Sequence, residues 1–100
     1  MNLYHLTQSE VDDYETYSDC VVAAESAEDA VHTHPNEPSV WWDGEQWVRQ
    51  TEYTDGRPLS KPFANGNDEW PAPAKVKAKL IGKAADYVKA GVVCASFHAG

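Results

Sequence analysis

The clearest pattern in the chain is an alternation of lysine and apolar residues over residues 75–82. Three lysines occupy the odd positions from 75 to 79, and Val76, Ala78 and Leu80 occupy the even positions between and after them. A period of two places the lysines on one face of a β-strand and the apolar side chains on the other. This segment is therefore predicted to be a half-exposed strand.

Three other segments have the composition of strands. Residues 2–8 alternate and are rich in aliphatic and aromatic side chains, and residues 91–98 form a β-prone apolar run. Residues 19–25 contain the run Cys-Val-Val-Ala-Ala, which is typical of a central strand covered on both faces. Residues 9–18 are polar and acidic, so they are predicted to connect two of these strands.

One short helix is predicted to begin at Ser26. A serine at this position can accept a hydrogen bond from an early helix amide, and Glu28 and Asp29 favour the positive end of the helix dipole. Pro35 ends the helix by His34, which leaves about two turns. Residues 83–90 give a weaker indication of a single helical turn.

Residues 40–48 predict a tight hairpin followed by a long loop. Asp43 and Gly44 lie between aromatic flanks, and Asp-Gly is a strong signal for a two-residue type I′ turn. Residues 51–74 concentrate glycine, proline and asparagine, so they are predicted to form a loop that is functional or mobile.

Together these segments predict a single α+β domain over residues 1–100. We expect a small antiparallel or mixed sheet of three to five strands, with one short helix packed on it and the long loop outside. A chain of 100 residues has room for one core. It has neither an apolar run of about 18 residues nor a signal peptide, so we expect no membrane association and a cytoplasmic location.

The charge is distributed unevenly along the chain. Residues 1–48 contain 11 acids and no lysine or arginine, whereas residues 49–100 contain 8 bases and 5 acids, so the two parts carry −11 and +3 and sum to the net −8. Negative charge repels phosphate, which makes nucleic acid a poor direct partner. A basic surface on another protein is a better one, although the acids could instead serve solubility alone.

The residues that most often carry chemistry do not form a recognisable catalytic or metal-binding pattern. Cys20 and Cys94 lie in apolar runs and are predicted to be reduced and buried, and a disulfide between them is possible only if their strands are neighbours with close β-carbons. His32 and His34 are two residues apart on a helix, which points their side chains in divergent directions. Cys94 and His98 are too far apart along a strand to act as nucleophile and base. The sequence therefore predicts no enzyme, no cofactor and no metal site.

Four tryptophans, Trp41, Trp42, Trp47 and Trp70, are many for a chain of this length. Neighbouring strand positions face opposite sides, so Trp41 and Trp42 cannot both enter the same core. Packing in the core or under the loop is one interpretation of these rings. An exposed tryptophan beside acidic residues is also a plausible hot spot for a protein partner.

Several runs at the two ends of the chain resemble a known group of proteins. These are Leu-Tyr-His-Leu-Thr-Gln at residues 3–8, the stretch from Asp13 to Ser26, the His-Pro pair at 34–35, and Gly-Val-Val-Cys-Ala-Ser-Phe-His-Ala-Gly at 91–100. They resemble a family of small proteins of unassigned function encoded by tailed bacteriophages. The resemblance implies a phage accessory protein in the cytoplasm of the bacterial host, and the tryptophan-rich hairpin and the long loop depart from it.

The leading functional hypothesis is a non-catalytic protein that binds a host protein through its acidic surface and inhibits a defence or nucleic-acid-handling enzyme. One alternative is a small metal-binding module or enzyme that uses histidines and carboxylates, and another is a self-associating subunit such as a homodimer. The residues predicted to contact the partner are Glu10, Asp12, Asp13, Tyr14, Glu15, Tyr17, Asp19, Trp41, Trp42 and Trp47.

Overall fold

The computed structural model of the chain describes residues 1–11, 16–37, 39–49, 63–64 and 69–98. The elements follow in the order β1 (Asn2–Thr7), β2 (Thr16–Ala24), α1 (Ala27–Val31), β3 (Val40–Trp42), β4 (Trp47–Arg49), β5 (Phe63–Ala64), a 3₁₀ turn (Pro73–Lys75), β6 (Lys77–Lys83) and β7 (Gly91–His98).

Four strands form the main sheet in the order β6-β1-β2-β7, and each neighbouring pair is antiparallel. A second, smaller antiparallel sheet has the order β3-β4-β5. The predicted α+β fold with a small sheet and one short helix is therefore confirmed. The prediction of a covered central strand also holds for the last part of β2, where Val22, Ala23 and Ala24 are buried in succession.

The core lies on the inner face of β1 and β2, where α1 and the small sheet meet the main sheet. α1 packs against β1, β2 and β6. Apolar side chains from all these elements, and from the segments that precede β6, pack into one cluster. Its buried members are Tyr4, Leu6, Cys20, Val22, Ala24, Ala30, Val40, Trp47, Trp70 and Val76.

The helix begins where the sequence predicts. Ser26 Oγ accepts a hydrogen bond from the amide of Asp29 at 3.1 Å, so the serine caps the first turn. α1 spans five residues, with His32 at its C-cap, and its Ala30 is fully buried. A helix this short depends on that packing rather than on its own propensity.

Two predicted segments differ from the structure. The prediction that residues 9–18 form a connection throughout is wrong for its last part, because β2 already begins at Thr16, which pairs with His98 of β7. Residues 83–90 contain a turn closed by the Val88 amide and the Ala85 carbonyl rather than a helical turn. Thr16 and Tyr17 join β2 despite the polar character of this segment because their backbone pairs with β7 at the end of the sheet.

The predicted hairpin is present as β3 and β4, but the prediction that its turn consists of Asp43 and Gly44 alone is wrong. Residues 43–46 lie between the strands, and the Asp43 amide donates to the Gln46 carbonyl at 3.1 Å. Asp43 Oδ1 accepts from the amides of Glu45 and Gln46 at 2.8 and 2.9 Å, so this side chain organises the turn. These backbone hydrogen bonds, first that of Gln46, lower the pKa of Asp43. Gly44 supplies the positive φ, at 108°.

The predicted loop over residues 51–74 is interrupted by regular structure. β5 pairs with β4, and the 3₁₀ turn begins at Pro73. Trp70 is fully buried in the core, so the end of this segment is not a surface loop. Residues 51–62 and 65–68 lie outside the described residues.

The apolar face predicted for β6 is only partly covered. Val76 is buried and Ala78 is half-buried, whereas Leu80 is 59% and Ile81 is 50% exposed. The register with β1 shifts here, because Leu3 pairs with Gly82 and Tyr4 with Leu80, which leaves Ile81 in a bulge. The alternation of the sequence therefore describes the burial of the first part of this segment and not of its end.

The two cysteines lie in different environments. Cys20 is buried, as predicted, but the prediction that Cys94 is also buried is wrong, since its side chain is exposed. β7 lies at the edge of the sheet, and Cys94 pairs with Val21 rather than with Cys20. Both thiols are free.

In the part of the chain that the structure describes, no helix is long and apolar enough to cross a membrane.

Candidate binding site

A cleft of about 350 Å³ opens where the carboxyl end of β2 meets α1, the start of β3 and the start of β7. Ala23, Ala24 and Val40 line it with buried apolar side chains. Trp41, which is 38% exposed, also lines the cleft. The cleft therefore combines an apolar floor with an accessible aromatic ring.

Three carboxylates surround this apolar floor. Glu25 follows the last residue of β2, Asp29 lies in the first turn of α1, and Glu37 lies between α1 and β3. All three side chains are exposed. Within the described ranges, neither a lysine nor an arginine forms an ion pair with any of them. Because no lysine or arginine of the described ranges pairs with these groups, they give the cleft a negative potential.

Glu37 approaches the sheet at a position that has no side chain. Gly91, the first residue of β7, pairs with Ala23 and has a φ of 129°. A β-carbon built on Gly91 would lie 2.8 Å from Glu37 Oε2. The glycine thus permits both the backbone conformation and the close approach of the carboxylate.

The segment that carries Glu37 is fixed by a buried histidine. His34 is fully buried, and its Nδ1 accepts a hydrogen bond from the Asn36 amide at 3.0 Å. Its ring makes edge contacts with Trp47 and Tyr17, at centroid distances of 5.0 and 6.1 Å. The His34 carbonyl accepts from the Glu37 amide at 2.9 Å. The aromatic packing around His34 therefore positions one wall of the cleft.

His32 joins the helix to the aromatic hairpin. Its Nδ1 donates to the Glu28 carbonyl at 2.7 Å, because a carbonyl oxygen can only accept. Its ring meets Trp42 edge-on at 6.4 Å, and Trp42 in turn meets Trp47 at 5.1 Å. As predicted from their adjacent positions, Trp41 and Trp42 differ in environment, since Trp42 packs on these rings and Trp41 lines the cleft.

A second polar group lies on the open face of the main sheet. His5 Nε2 and Asp19 Oδ2 are 2.7 Å apart, and the carboxylate is also hydrogen-bonded by the side chains of Ser18 and Ser96. In a catalytic triad the histidine lies between the serine and the acid. Here both serines contact the acid instead, so the group has no activated hydroxyl.

The residues predicted to bind a partner fall into several groups. Glu10 is exposed, Tyr17 is half-buried against His34, and Asp19 is occupied by His5. Trp47 is fully buried, which contradicts its assignment to a partner surface. Trp41 and Trp42 lie at and beside the cleft, and the predicted residues Asp12, Asp13, Tyr14 and Glu15 lie outside the described residues.

The described acidic residues are not confined to one end of the main sheet, and of the predicted acids at residues 10–15 only Glu10 is described. Glu10 follows β1 at the end of the sheet where β2 begins, whereas Glu25 lies beyond the opposite end of β2. Nine residues of strand separate these ends by roughly 30 Å. Of the described acids, Glu25, Asp29 and Glu37 share a concave surface, and none of them is among the predicted partner-binding residues.

The cleft is suited to hold an organic cation rather than a metal ion. Among the described residues, no group of three His, Cys, Asp or Glu side chains is arranged to hold a metal. The carboxylates are instead spread around an apolar floor. Such a surface matches a side chain with an aliphatic stem and a charged end, as in lysine and arginine.

Comparisons with known proteins do not assign the chain to a family. No family model matches it, and no curated protein and no solved structure is significantly similar to it.

Proposed function

We propose that this protein is a non-catalytic binding protein whose acidic cleft takes a basic segment of a partner protein. The observation that carries the proposal is the cleft itself, in which the carboxylates of Glu25, Asp29 and Glu37, unpaired with any described lysine or arginine, surround an apolar floor. An oppositely charged partner would gain both faster encounter and fixed orientation from this field.

The lining of the cleft supports a particular mode of binding. The aliphatic stem of a lysine or arginine would cover Ala23 and Val40, and its charged end would reach the carboxylates at the rim. Trp41 offers an aromatic face to the same cation, and arginine stacks on such faces better than lysine does. We therefore expect an arginine-containing segment to bind more tightly than one with lysine alone.

The partner we propose is a bacterial host protein with a basic surface. The net charge of −8 disfavours direct binding to nucleic acid but favours a protein whose own function requires a basic, nucleic-acid-binding surface. Occupying such a surface would inhibit a defence or nucleic-acid-handling enzyme. The resemblance of both chain ends to phage accessory proteins supports this role and a location in the host cytoplasm.

The proposal is tested by titrating the purified protein with an arginine-containing basic peptide and recording the change in tryptophan fluorescence, to which Trp41 contributes. The cleft variant carries Glu25→Gln, Asp29→Asn and Glu37→Gln. A matched control carries Glu10→Gln, Glu28→Gln and Glu45→Gln, three exposed acids that do not line the cleft. Both variants change the net charge by the same amount.

We expect the cleft variant to lose most of its affinity for the peptide and the control variant to keep most of it. Affinity should also fall as salt is added, because exposed charges are screened. Equal losses in both variants would mean that net charge alone attracts the peptide, and undiminished binding by the cleft variant would place the site elsewhere. Either result would overturn the proposal.

A further inference from the structure

The two edges of the main sheet differ in how they are protected. β6 carries Lys77, Lys79 and Lys83 along its exposed edge. Charged side chains, lysine above all, are a common means of preventing an edge strand from pairing with another chain. β7, at the opposite edge, contains no lysine, arginine, aspartate or glutamate.

β7 is also poorly covered. Among the described elements its extensive contacts are with β2 alone. Val93 is 52% exposed, and Cys94, Ala95 and Ser96 are exposed as well. A neutral, exposed edge strand presents unpaired backbone donors and acceptors to any strand that approaches it.

The geometry of β7 leaves a regular stretch available for pairing. The register with β2 shifts between Val21 and Val22, which places Val93 in a bulge. From Cys94 onward β7 contains no bulged residue. The next register shift lies between Tyr17 and Asp19, and its extra residue, Ser18, belongs to β2. The exposed stretch is centred on Ala95.

We propose that β7 pairs antiparallel with β7 of a second copy of this chain and joins two four-stranded sheets into one of eight strands. A two-fold axis perpendicular to the sheet would pass at Ala95, so that this residue faces its own copy. β7 offers no charge and no described cavity that would select a foreign strand. Its own copy matches its backbone pattern and twist, and each contact made at a two-fold interface is made twice.

The neutrality of β7 matters because each chain carries a net charge of −8. Two copies repel each other at long range. The interface between the two β7 strands, here called the seam, contains no charged residues and therefore adds no local repulsion. Added salt screens the long-range repulsion and should strengthen the dimer. The same salt should weaken binding of a basic peptide in the cleft, so the two proposals respond in opposite directions.

The test measures the mass of the purified protein by sedimentation equilibrium over a concentration series up to about 1 mM, where even weak association is detectable. Wild-type protein is expected to shift from one chain to two. Ala95→Lys and Ala95→Glu each place like charges opposite each other across the seam and should weaken the dimer about fivefold. An equimolar mixture of the two variants should restore it.

Ile81→Lys is the matched control, because Ile81 is exposed to nearly the same extent as Val93 but lies on the β6 edge. This variant should dimerise as the wild type does. A wild-type protein that remains a monomer throughout the series would overturn the proposal. So would an Ala95→Lys variant that dimerises normally, or a mixture that does not regain the wild-type affinity.

Discussion

His5 of β1 and Asp19 of β2 form a diagonal pair across the two central strands. Val21 pairs directly with His5, and Thr7 pairs directly with Asp19, yet the imidazole and the carboxylate meet at 2.7 Å on the open face of the sheet. The hydrogen bond from His5, and smaller ones from Ser96 and Ser18, lower the pKa of Asp19 below its usual 3.8. The ionised carboxylate is thus bound more favourably in the folded protein than in the unfolded chain.

This pair predicts a loss of stability in acid. A carboxylate whose pKa is lower in the folded state stabilises the fold above the unfolded pKa of 3.8, and this contribution disappears as the pH falls through the folded value. Asp19→Asn should therefore flatten the dependence of the urea unfolding free energy on pH below about 4. Both side chains are about one-third exposed, so the difference should be less than about 1 kcal/mol. Glu10→Gln, at an exposed site, is the control, and an equal flattening there would contradict the assignment.

The backbone conformation of Gly91 predicts that an alanine at this position is costly. Its φ of 129° strains any residue with a β-carbon, whereas Glu37 Oε2, which that carbon would meet, is the end of an exposed, flexible side chain and can move away at small cost. We expect Gly91→Ala to lower the free energy of unfolding by about 1–3 kcal/mol.

Gly44→Ala is the comparison, because Gly44 also has a positive φ but has nothing within 4 Å of the added carbon, so the two substitutions should cost similar amounts. Combining Gly91→Ala with Glu37→Ala should recover little of the loss. A large recovery in the double variant would show that the contact with Glu37, rather than the backbone strain, dominates the cost of Gly91→Ala.

The parts of the fold that the sequence predicts are those set by local patterns. Alternation and β-branched residues indicate β1 and β7, and Ser26 marks the start of α1. The Asp-Gly pattern predicts the position of the β3–β4 turn but not its length, because the Asp43 side chain accepts hydrogen bonds from the Glu45 and Gln46 amides and so organises a longer turn. The bulges at Ile81 and Val93 depend on pairing with strands distant in the sequence, and no local pattern encodes them.

The cleft could not be predicted for the same reason. Its carboxylates lie in three different segments, and Gly91 reaches them only through the pairing of β7 with β2. The sequence did indicate an acidic surface and an exposed tryptophan. It could not indicate which acids share a concave surface, because that depends on long-range register.

The two cysteines predict a sharp difference in thiol reactivity. Burial raises the pKa of Cys20 to about 12, with smaller contributions from the charges of Asp19 and Cys94. The thiolate is the reactive form, so Cys20 should be inert near neutral pH, whereas the exposed Cys94 is accessible. Native protein should react with one equivalent of a disulfide reagent such as Ellman's reagent, and Cys94→Ser should abolish this reaction until denaturant is added. Rapid reaction of the Cys94→Ser variant would contradict the burial of Cys20.

Two fully buried tryptophans, Trp47 and Trp70, differ in the hydrogen bonding of their indole N–H groups. Trp47 Nε1 donates to the Pro71 carbonyl at 2.8 Å, whereas Trp70 Nε1 has no hydrogen-bond partner within the described residues. Replacement by phenylalanine removes the same atoms at both positions, so the loss of packing is similar. Trp47→Phe also leaves the Pro71 carbonyl without this donor, while Trp70→Phe removes a buried donor that has no partner among the described residues.

Trp47→Phe should therefore destabilise the protein by about 1–3 kcal/mol more than Trp70→Phe, as measured by urea unfolding. Trp47 also contacts the ring of His34, and the His34 carbonyl accepts a hydrogen bond from the Glu37 amide. Replacing Trp47 should therefore also disturb the position of Glu37 at the cleft. Binding of the basic peptide provides this second measurement, and we expect it to weaken in Trp47→Phe more than in Trp70→Phe. A larger loss of stability in Trp70→Phe would contradict the prediction.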